Sequence, residues 1–425
     1  MRNTDFFKNK KITIVGLARS GVACANLLHS LGAKVRLTDI KNSVQTKAFA
    51  KLLSSKKIKL ELGKHSRSFI EDADIVVISP GVPGNVAPII WAKKLAIPVY
   101  AEIEIASFLC PAQIIAVTGA NGKTTVTTLI GKIIKASGKK VFVCGNIGNP
   151  FSGEVAKMRK GDFIVLEVSS FQLENIKDFK PKIAVIINIT PNHLDRYKNM
   201  QEYVDAKKRI FLNQDNHDFL ILNGQDQLLR KIAKEPASKV EFFTKKSGLN
   251  PNQAVVFKVG QILGISKQKM LDVFKKFKGI QHRMEEVATI KQVKFINDSK
   301  ATTADSAIWA LNSIMGPVIL IAGGRHKGID YGVIKKAAKN KVKRLVLIGE
   351  AKDKIAACLK NEFLIEKANS LEDAVSQAFS FARPGFSILL SPMCSSYDMF
   401  ADYEDRGRTF KKIVLALAKK NKIHD

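Results

Sequence analysis

The chain has 425 residues, which is too long for a single hydrophobic core and suits about three domains of ordinary size. With 46% hydrophobic and 25% charged residues its composition is globular, and no apolar run reaches the about 18 residues that a membrane-spanning helix needs. The formal net charge of +31 suggests nucleic-acid binding, but the lysines are spread along the chain without interleaved aromatic residues, which favours a solvated surface and no nucleic-acid partner.

The first residues and the cysteines both indicate a cytoplasmic protein. The opening segment, MRNTDFFKNKKITIVG, lacks the apolar core of a signal peptide and runs directly into a predicted strand. The cysteines have no metal-site spacing, and an odd, scattered set suits reduced thiols better than a disulfide framework. They are Cys24, Cys110, Cys144, Cys358 and Cys394.

Short β-branched strands alternate with helix-length segments along the whole chain. The predicted strands are KITIVG, KVRLTD, ADIVVISPG, IIAVTG, FIVLEVSS, KIAVIINIT, VKFIN, VILIAGG, RLVLIGE and SILLSP. Such alternation predicts an α/β fold with parallel sheets covered by helices on both faces. Glycine-rich strand-to-helix turns restart near Ile12, near Pro111 and after Gln281, so we expect three units in series. The predicted domains are 1–109, 110–280 and 281–425.

The first turn, ITIVGLARSG (12–21), is of the G-x-A-x-x-G kind, and Asp39 ends the next strand about twenty residues later. Alone, this pattern suggests binding of a nicotinamide dinucleotide, although one glycine fingerprint is weak evidence. A phosphate loop later in the chain instead favours a nucleotide diphosphate at this turn. A further strand exit on the same sheet edge is SPG at 79–81.

The segment IIAVTGANGKTTVTTLIGKIIKASG (114–138) is a strand, a glycine-rich turn and a helix. It has the shortened loop pattern T-G-x-N-G-K-T-T, with Val117 where the usual pattern has glycine. Backbone N–H groups of such a loop face phosphate oxygens, Lys123 reaches the outer phosphates, and the Thr124 hydroxyl ligates Mg²⁺. A chance glycine turn is the weaker alternative. The expected phosphate-loop residues are Gly119, Asn121, Gly122, Lys123, Thr124 and Thr125.

The next two strands end in polar residues at the same predicted sheet edge. DFIVLEVSSFQLE places Glu167 where a second magnesium-coordinating carboxylate belongs. KIAVIINIT runs into PNHLDRY, which presents His193, Asp195 and Arg196. Ligands of open α/β sheets collect at the carboxyl ends of strands, so His193 is a candidate site residue. A surface-loop histidine is an equally good interpretation of this residue on its own.

A series of motifs along nearly the whole chain resembles the Mur ligase family. The motifs are TGANGKTT, LEVSSFQLE, NHLDRY, HRMEEV, NDSKATT, GGRHKG and SPMCSSYDMFADYEDRGRTF. The resemblance implies a Rossmann-like first domain that holds a UDP precursor and a central P-loop ATPase domain. It also implies a dinucleotide-binding-like third domain that closes over ATP and brings the amino acid.

The resemblance also implies an activity. Within the family the motifs are most similar to those of ligases that add D-glutamate to UDP-N-acetylmuramoyl-L-alanine through an acyl phosphate, a step of peptidoglycan precursor synthesis. It implies ATP, two Mg²⁺ ions and a carbamylated lysine, in a cytoplasmic monomer. Alternatives are a sister ligase for another amino acid, a folylpolyglutamate-type synthase, a nucleic-acid-dependent ATPase and a non-catalytic binding protein. NDSKATT together with GGRHKG favours the glutamate-adding ligase.

The resemblance assigns roles residue by residue. Contacts to the UDP precursor are expected from Arg19, Ser20, Asp39, Ser79, Gly81, Asn146, Ser169 and His193. Contacts to ATP outside the phosphate loop are expected from Arg283, Asp298 and Lys300, and from Asn250 or Asn252. Contacts to D-glutamate are expected from Thr302, Lys327, Ser396 and Tyr397. The expected metal ligands are Thr124, Glu167, His193 and Lys207, and the expected catalytic residues are Lys123, His193, Lys207 and Lys300.

The sequence pattern leaves two features undecided, the choice between two adjacent lysines and the residues that bind adenine. In EYVDAKKRIFL, Lys207 shares a helix stripe with aromatic residues, but Lys208 is flanked in the same way by Val204 and Leu212, so periodicity does not choose between the two lysines. Similarity to the family's A-K-x-x-I-F segment selects Lys207 as the carbamylated lysine. Residues 248–265 depart from the family's G-x-H-N-x-x-N segment, because they contain no histidine.

Overall fold

The computed structural model of the protein describes residues 4–190, 196–244, 248–326, 328 and 330–422. The chain divides into two compact units, Met1–Phe277 and Lys278–Asp425. The first unit contains two sheets and the second contains one. No helix within the described ranges is both long and apolar enough to cross a membrane.

The first sheet is entirely parallel. Its strands are β1 (Lys11–Val15), β2 (Lys34–Asp39), β3 (Lys59–Leu62), β4 (Ile75–Ile78) and β5 (Val99–Ala101). Its helices are α1 (Arg19–Ser30), α2 (Val44–Ala50), α3 (Ala87–Lys94) and α4 (Glu102–Leu109). The strand order is β3-β2-β1-β4-β5, so the chain reverses direction across the sheet between β1 and β4. A reversal of this kind leaves a crevice at the carboxyl ends of the two strands, where ligands bind in such sheets.

The second sheet has the order β11-β10-β9-β6-β8-β7 and is also parallel. Its strands are β6 (Gln113–Thr118), β7 (Val141–Gly145), β8 (Phe163–Glu167), β9 (Ile183–Ile186), β10 (Phe219–Asn223) and β11 (Lys239–Phe243). Its helices are α5 (Lys123–Ala136), α6 (Phe151–Glu154), α7 (Ser170–Leu173), α8 (Met200–Lys208), α9 (Gln227–Ile232), α10 (Pro251–Ile262) and α11 (Lys267–Lys276). Ile114 and Ala116 of β6 pack into one core, whereas Ile115 and Val117 pack into another. Side chains alternate between faces along a strand, so both faces of this sheet are covered.

The third sheet has the order β12-β13-β17-β14-β15-β16. Its strands are β12 (Glu285–Ile290), β13 (Val293–Asn297), β14 (Val318–Gly323), β15 (Val342–Ile348), β16 (Ile365–Lys367) and β17 (Ser387–Leu390). Its helices are α12 (Ala304–Ser313), α13 (Lys335–Ala338), α14 (Lys352–Leu359), α15 (Leu371–Phe381) and α16 (Tyr403–Lys422). Only the edge strand β12 is antiparallel to its neighbour among the strands described.

The architecture confirms the predicted fold class of α/β units with parallel sheets covered by helices. Every strand predicted from the sequence is present, and each sheet lies within one of the predicted domain ranges. The first two sheets belong to one compact unit, and the two units divide between Phe277 and Lys278, so the boundaries at 109/110 and 280/281 stay predictions.

Candidate active site

The phosphate loop lies between the end of β6 and the start of α5. Five residues of β6 are buried, which fixes the position from which the loop leaves the sheet. Gly122 has φ of +83° and precedes the first helical residue, Lys123. A Cβ at this position would lie 2.7 Å from Oδ1 of Asn252, so glycine is needed both for the backbone conformation and for the space. This contact also places Asn252 beside the loop.

Lys123 extends across the loop that precedes it. Its Nζ donates to the carbonyl oxygens of Gly119 at 2.8 Å and Ala120 at 3.0 Å. Thr124 is buried and Thr125 is half-buried in the first turn of α5. The first N–H groups of a helix carry partial positive charge, and the lysine adds a full one, so the loop is suited to polyphosphate.

Asn188, which sequence reasoning did not select, holds the loop in place. Its Oδ1 accepts hydrogen bonds from the backbone N–H groups of Ala120 at 3.0 Å and Asn121 at 2.9 Å. Its Nδ2 donates to the carbonyl oxygen of Asn121 at 3.2 Å. The residue follows β9, which is hydrogen-bonded to β6, so its side chain continues the pairing of the two strands beyond their ends. The segment NITPNH places Asn188 at a strand exit. Its hydrogen-bond partners are about 67 residues away in sequence, so a local pattern could not identify its role.

Glu167 ends β8 next to the loop and is only 2% exposed. In the strand register it lies opposite Val117 on one side and Gly145 on the other. Its Oε1 accepts a hydrogen bond from Nδ2 of Asn146 at 2.9 Å. Its Oε2 is buried and has no hydrogen-bond partner among the described residues. A buried carboxylate oxygen without a donor is costly by itself, and a cation would satisfy it.

Lys207 is buried against the same loop, with 1% of its surface exposed. Its Nζ donates to the carbonyl oxygen of Gly119 at 3.2 Å and to Oγ1 of Thr118 at 3.3 Å. It also lies 4.7 Å from the ring centroid of Tyr203. Burial, reinforced by the charge of Lys123, holds the pKa of Lys207 well below its ordinary value. The side chain is therefore a strong candidate for a neutral amine.

Lys208, which periodicity could not distinguish from its neighbour, has a different environment. Its Nζ forms ion pairs with Glu235 at 2.5 Å and Asp205 at 3.5 Å. The hydrogen bond that Lys208 donates to Glu235 raises the pKa of Lys208. Leu212, its partner in the helical stripe, is 53% exposed. The structure therefore separates an ordinary charged lysine at 208 from the buried lysine at 207.

Part of the predicted metal site can be tested against these residues. Among the described residues, no three His, Cys, Asp or Glu side chains are grouped as a metal site. The predicted ligand His193 lies outside the described residues. The unsatisfied oxygen of Glu167 and the Thr124 hydroxyl beside the phosphate loop do fit Mg²⁺, which prefers a few oxygen ligands together with substrate phosphates.

In the first sheet, side chains from neighbouring segments form hydrogen bonds with the backbone of the glycine-rich turn. Oδ2 of Asp39 accepts from the backbone N–H of Leu17 at 2.7 Å, and its Oδ1 accepts from that of Lys41 at 2.8 Å. Ser79 is buried, and its hydroxyl donates to the carbonyl oxygen of Gly16 at 2.9 Å. Asp39 and Ser79 were predicted to contact the precursor, and the structure gives both a role in holding the turn.

The other described residues that were predicted to contact the precursor lie near strand exits. Arg19 is exposed and Ser20 is half-buried in the first turn of α1, and Gly81 is exposed in the segment after β4. Ser169 is the N-cap of α7. Its hydroxyl accepts from the backbone N–H of Gln172 at 3.3 Å, and Oε1 of Gln172 accepts from the backbone N–H of Ser169 at 3.0 Å. These contacts to the precursor stay predictions.

The two asparagines considered for adenine binding differ in their surroundings. Asn250 caps α10, because its Oδ1 accepts from the backbone N–H of Gln253 at 3.0 Å, while Gln253 bonds back to Asn250. Asn252 lies two residues further along the helix, beside Gly122. Asn252 is thus the better placed of the two for a nucleotide on the loop.

In the second unit, Asp298 follows β13 and is 4% exposed. Its Oδ2 accepts from the Ser391 hydroxyl at 3.0 Å, and its Oδ1 accepts from the backbone N–H of Met284 at 3.3 Å. Burial raises the pKa of Asp298 to about 7, and the charge of Arg283 opposes this rise. Nε of Arg283 is buried without a hydrogen-bond partner in the described part of the chain. Nζ of Lys300 lies 5.5 Å from the ring centroid of Tyr403.

The described residues that were predicted to bind D-glutamate lie on adjacent loops of this unit. β13 and β17 are neighbours, and the backbone N–H of Met393 donates to the carbonyl oxygen of Ala301 at 2.9 Å. The loops therefore bring the segments of Thr302 and Ser396 close together. Thr302 is half-buried, and Ser396 is buried. Tyr397, by contrast, is 52% exposed.

The last predicted residue of this set, Lys327, lies outside the described residues. Its motif neighbour Arg325 is described, and its backbone N–H donates to the carbonyl oxygen of Ser395 at 2.8 Å. The loop after β14 is therefore joined to the loop after β17. A role for Lys327 in binding D-glutamate stays a prediction.

Arg406 links two of these loops and was not selected from the sequence, although it lies within the motif YEDRGRTF. It is 1% exposed. Its guanidinium donates to the hydroxyl and carbonyl oxygens of Ser299, both at 2.9 Å, and to the carbonyl oxygen of Cys394 at 3.2 Å. Burial lowers the pKa of Arg406 to about 10. A buried cation thus supports the loops that follow β13 and β17.

Comparison with protein families gives matches along most of the chain. A family model described as "Mur ligase MurD-like, N-terminal domain" matches residues 10–101. One described as "Mur ligase middle domain" matches residues 117–288, and one described as "Mur ligase, glutamate ligase domain" matches residues 282–394.

Two curated relatives extend these matches to nearly the full length. The UDP-N-acetylmuramoylalanine--D-glutamate ligase of Thermoanaerobacter pseudethanolicus is 40% identical over 96% of this chain and 99% of its own. The ligase of the same name from Geotalea daltonii is 40% identical over 97% of this chain and 98% of its own.

Solved structures support the fold. UDP-N-acetylmuramate-alanine ligase from Thermotoga maritima has a TM-score of 0.60 at 20% identity, covering 96% of this chain and 99% of that one. A MurF ligase from the same organism, in complex with ADP, has a TM-score of 0.59 at 15% identity and covers 98% of both chains.

Proposed function

The chain belongs to the Mur ligase family, and we propose that it joins D-glutamate to UDP-N-acetylmuramoyl-L-alanine in a reaction driven by ATP. It is an enzyme of the ATP-dependent ligase class, and its product is a precursor of peptidoglycan. The identity of about two residues in five with D-glutamate-adding ligases, over nearly the whole chain, is the reason for choosing this amino acid.

The observation that carries the proposed chemistry is the arrangement around the phosphate loop. Lys123 lies across the loop, and buried Glu167 and Lys207 lie beside it at the carboxyl ends of their elements. Polyphosphate would bring negative charge to a place where the protein supplies lysines, helix N–H groups and a carboxylate suited to a counter-cation. This pattern supports phosphoryl transfer from ATP.

The reaction has two steps. The carboxylate of the alanine residue in the precursor attacks the γ-phosphorus of ATP in line, the bond to the β-bridging oxygen breaks, and an acyl phosphate and ADP form. The amine of D-glutamate then attacks the acyl carbon, loses a proton and expels inorganic phosphate, which leaves an amide. Lys123 stabilises the charge of the transferred phosphoryl group, and catalysis is mainly positioning and charge neutralisation.

The proposal includes Mg²⁺ held by Glu167, Thr124, His193 and a carbamylated Lys207. Bound Mg²⁺ would neutralise phosphate oxygens as negative charge shifts from the γ- to the β-phosphate. The neutral amine expected for Lys207 adds CO₂ with loss of one proton and becomes an anionic oxygen ligand. The buried environment and lowered pKa of Lys207 support this modification.

The second unit is proposed to contribute residues that bind the amino acid and ATP. Asp298, Arg283 and Lys300 are the residues we assign to ATP. D-glutamate has two carboxylates, so it needs cationic and hydroxyl donors. We assign these to Thr302, Lys327, Ser396 and Tyr397. Both substrates are small molecules, and the proposed function implies a cytoplasmic monomer.

A single assay tests the proposal. ADP release is measured with UDP-N-acetylmuramoyl-L-alanine and ATP, with D-glutamate compared against L-glutamate, L-lysine and glycine. We expect ADP release and amide formation with D-glutamate alone. Equal turnover with another amino acid would indicate a sister ligase, and no ADP release with any of them would contradict ligase activity.

A further inference from the structure

Arg196 connects the two sheets of the first unit. It lies in the segment that leads from β9 to α8, and its side chain is 18% exposed. One guanidinium nitrogen donates to the carbonyl oxygen of Pro80 and another to that of Val82, each at 3.3 Å. Pro80 and Val82 follow β4 of the first sheet. An arginine of the central sheet therefore binds the backbone on both sides of Gly81.

The guanidinium is held in this orientation by its own domain. The nitrogen that bonds to Val82 also forms an ion pair with Oε2 of Glu174 at 2.9 Å. The guanidinium lies over the ring of Phe171, with 3.9 Å between its central carbon and the ring centroid. The other oxygen of Glu174 accepts from the Tyr197 hydroxyl at 2.7 Å. A planar fork that is stacked and paired in this way presents its remaining N–H groups in a fixed direction.

The bound loop in turn contacts the glycine-rich turn of the first sheet. Ser79, at the start of the loop, donates to the carbonyl oxygen of Gly16. A Cβ added to Gly16 would lie 2.6 Å from Cγ2 of Val82, so Val82 packs directly against the turn. A contiguous set of contacts therefore runs from Arg196 through the loop to Gly16. Moving the loop would disturb the backbone at which the precursor is expected to bind.

We infer that Arg196 is a positioning residue for the UDP precursor, because it fixes the loop of residues 79–82 and, through it, the glycine-rich turn. This inference rests on the proposed function, and it assigns Arg196 no contact with the substrate. The role requires the fork, because one ammonium group cannot bond to two carbonyl oxygens and a carboxylate with the same geometry. Arg196→Lys keeps the charge and removes the fork.

The experiment measures binding of UDP-N-acetylmuramoyl-L-alanine and of ADP to the full chain by calorimetry. For Arg196→Lys we expect precursor binding to weaken about tenfold, as expected for the loss of one or two hydrogen bonds, with ADP affinity unchanged within about twofold. In steady state, the KM for the precursor should rise far more than the KM for ATP. An unchanged precursor affinity would overturn the inference.

Arg209 provides a matched control. Its guanidinium also bonds to two carbonyl oxygens, those of Leu173 at 2.8 Å and Ile176 at 2.5 Å, but these lie within the central part of the chain. Arg209→Lys should lower the melting temperature and leave precursor affinity unchanged. Equal weakening of precursor binding by both variants would reduce Arg196 to a general structural role and overturn the inference.

A second variant keeps the test decisive if Arg196→Lys does not fold. Glu174→Gln retains Arg196 and removes the charge that orients it, so we expect precursor binding to weaken about threefold. Wild-type affinity in a folded Glu174→Gln would then overturn the inference. Failure of the wild-type protein to bind the precursor would instead contradict the proposed function, so the two failures are distinguishable.

Discussion

The two glycine-rich turns of the first unit look alike as sequence and differ as sites. The turn after β1 is closed by Asp39 and Ser79, whose polar atoms are hydrogen-bonded to backbone groups around it. The turn after β6 is braced by Asn188, but buried ionisable groups flank it. Within the described part of the chain, one oxygen of Glu167 has no hydrogen-bond donor, and Lys207 is buried beside the charge of Lys123.

The turn after β1 is therefore a rigid binding surface, whereas the turn after β6 is the reactive site. A turn with satisfied hydrogen bonds is stable without a ligand and presents a fixed surface. Buried charges without compensation cost free energy, and they cluster where a ligand, a metal ion or a chemical modification supplies the missing partner. The glycine pattern therefore indicates that a nucleotide binds, whereas the neighbouring charges indicate where the chemistry takes place.

The largest effect is expected from replacing Lys123, which tests whether the turn after β6 is the reactive one. Lys123→Ala should lower kcat by about a thousandfold or more, because the phosphoryl group loses its main protein cation. Precursor affinity should persist, since the first turn keeps its own hydrogen bonds. Product formation is measured as ADP release. A rate of one tenth of the wild-type rate would contradict the assignment of the phosphate loop.

The two adjacent lysines of α8 provide the next test. Lys207→Ala should lower kcat by about a hundredfold to a thousandfold, with partial recovery when a small carboxylate such as formate is added. Lys208→Ala should stay within about threefold of the wild type, because it removes only ion pairs near the surface. Equal activity of the two variants, or an unmodified Lys207 Nζ in a crystal grown with bicarbonate, would refute the proposed carbamate.

Asn188 allows a further test, because it holds the backbone of the turn after β6 by hydrogen bonds. Asn188→Ala leaves two loop N–H groups without their side-chain acceptor, so the KM for ATP should rise about tenfold to thirtyfold. The KM for D-glutamate should change less than twofold. Asn26, in the first domain, is a comparable control, since its amide oxygen accepts from one backbone N–H and its amide nitrogen donates to one carbonyl oxygen. If Asn26→Ala raised the KM for ATP equally, Asn188 would have no special role.

The smallest effect is expected at the first turn. Asp39→Asn removes one of two charged acceptors, which should raise the KM for the precursor about fivefold and leave the KM for ATP unchanged. Asp74 accepts a backbone hydrogen bond from Lys11 at the opposite end of the same sheet. Asp74→Asn should therefore change neither KM. A change in the KM for ATP with Asp39→Asn would show that the two turns are not independent.

Most of the strands that could be predicted have a continuous apolar run. In β4 and β14, every residue is buried, which matches their sequences IVVI and VILIAG. The edge strands β3, β11 and β16 have partly exposed residues and charged side chains, so their sequences carry no comparable signal. β10 is an interior strand that was also missed, because FLILN is too short to distinguish a strand from a buried helical segment.

The phosphate loop, the polar ends of β8 and β13 and the family could be identified from the amino-acid sequence alone, because these features depend on neighbouring residues and on local backbone geometry. Which lysine of α8 is buried depends on tertiary packing. Helical spacing gives both lysines a stripe of apolar neighbours, but the helix ends at Lys208, and Leu212 is exposed while Phe211 is buried. Tertiary packing also determines the hydrogen-bond partners of Asn188 and Arg196. The contacts of Asn188 exist because β6 lies beside β9, and an order of strands that differs from the order in the chain is set by packing over the whole fold. The contacts of Arg196 join two different sheets, which no local pattern in the sequence specifies.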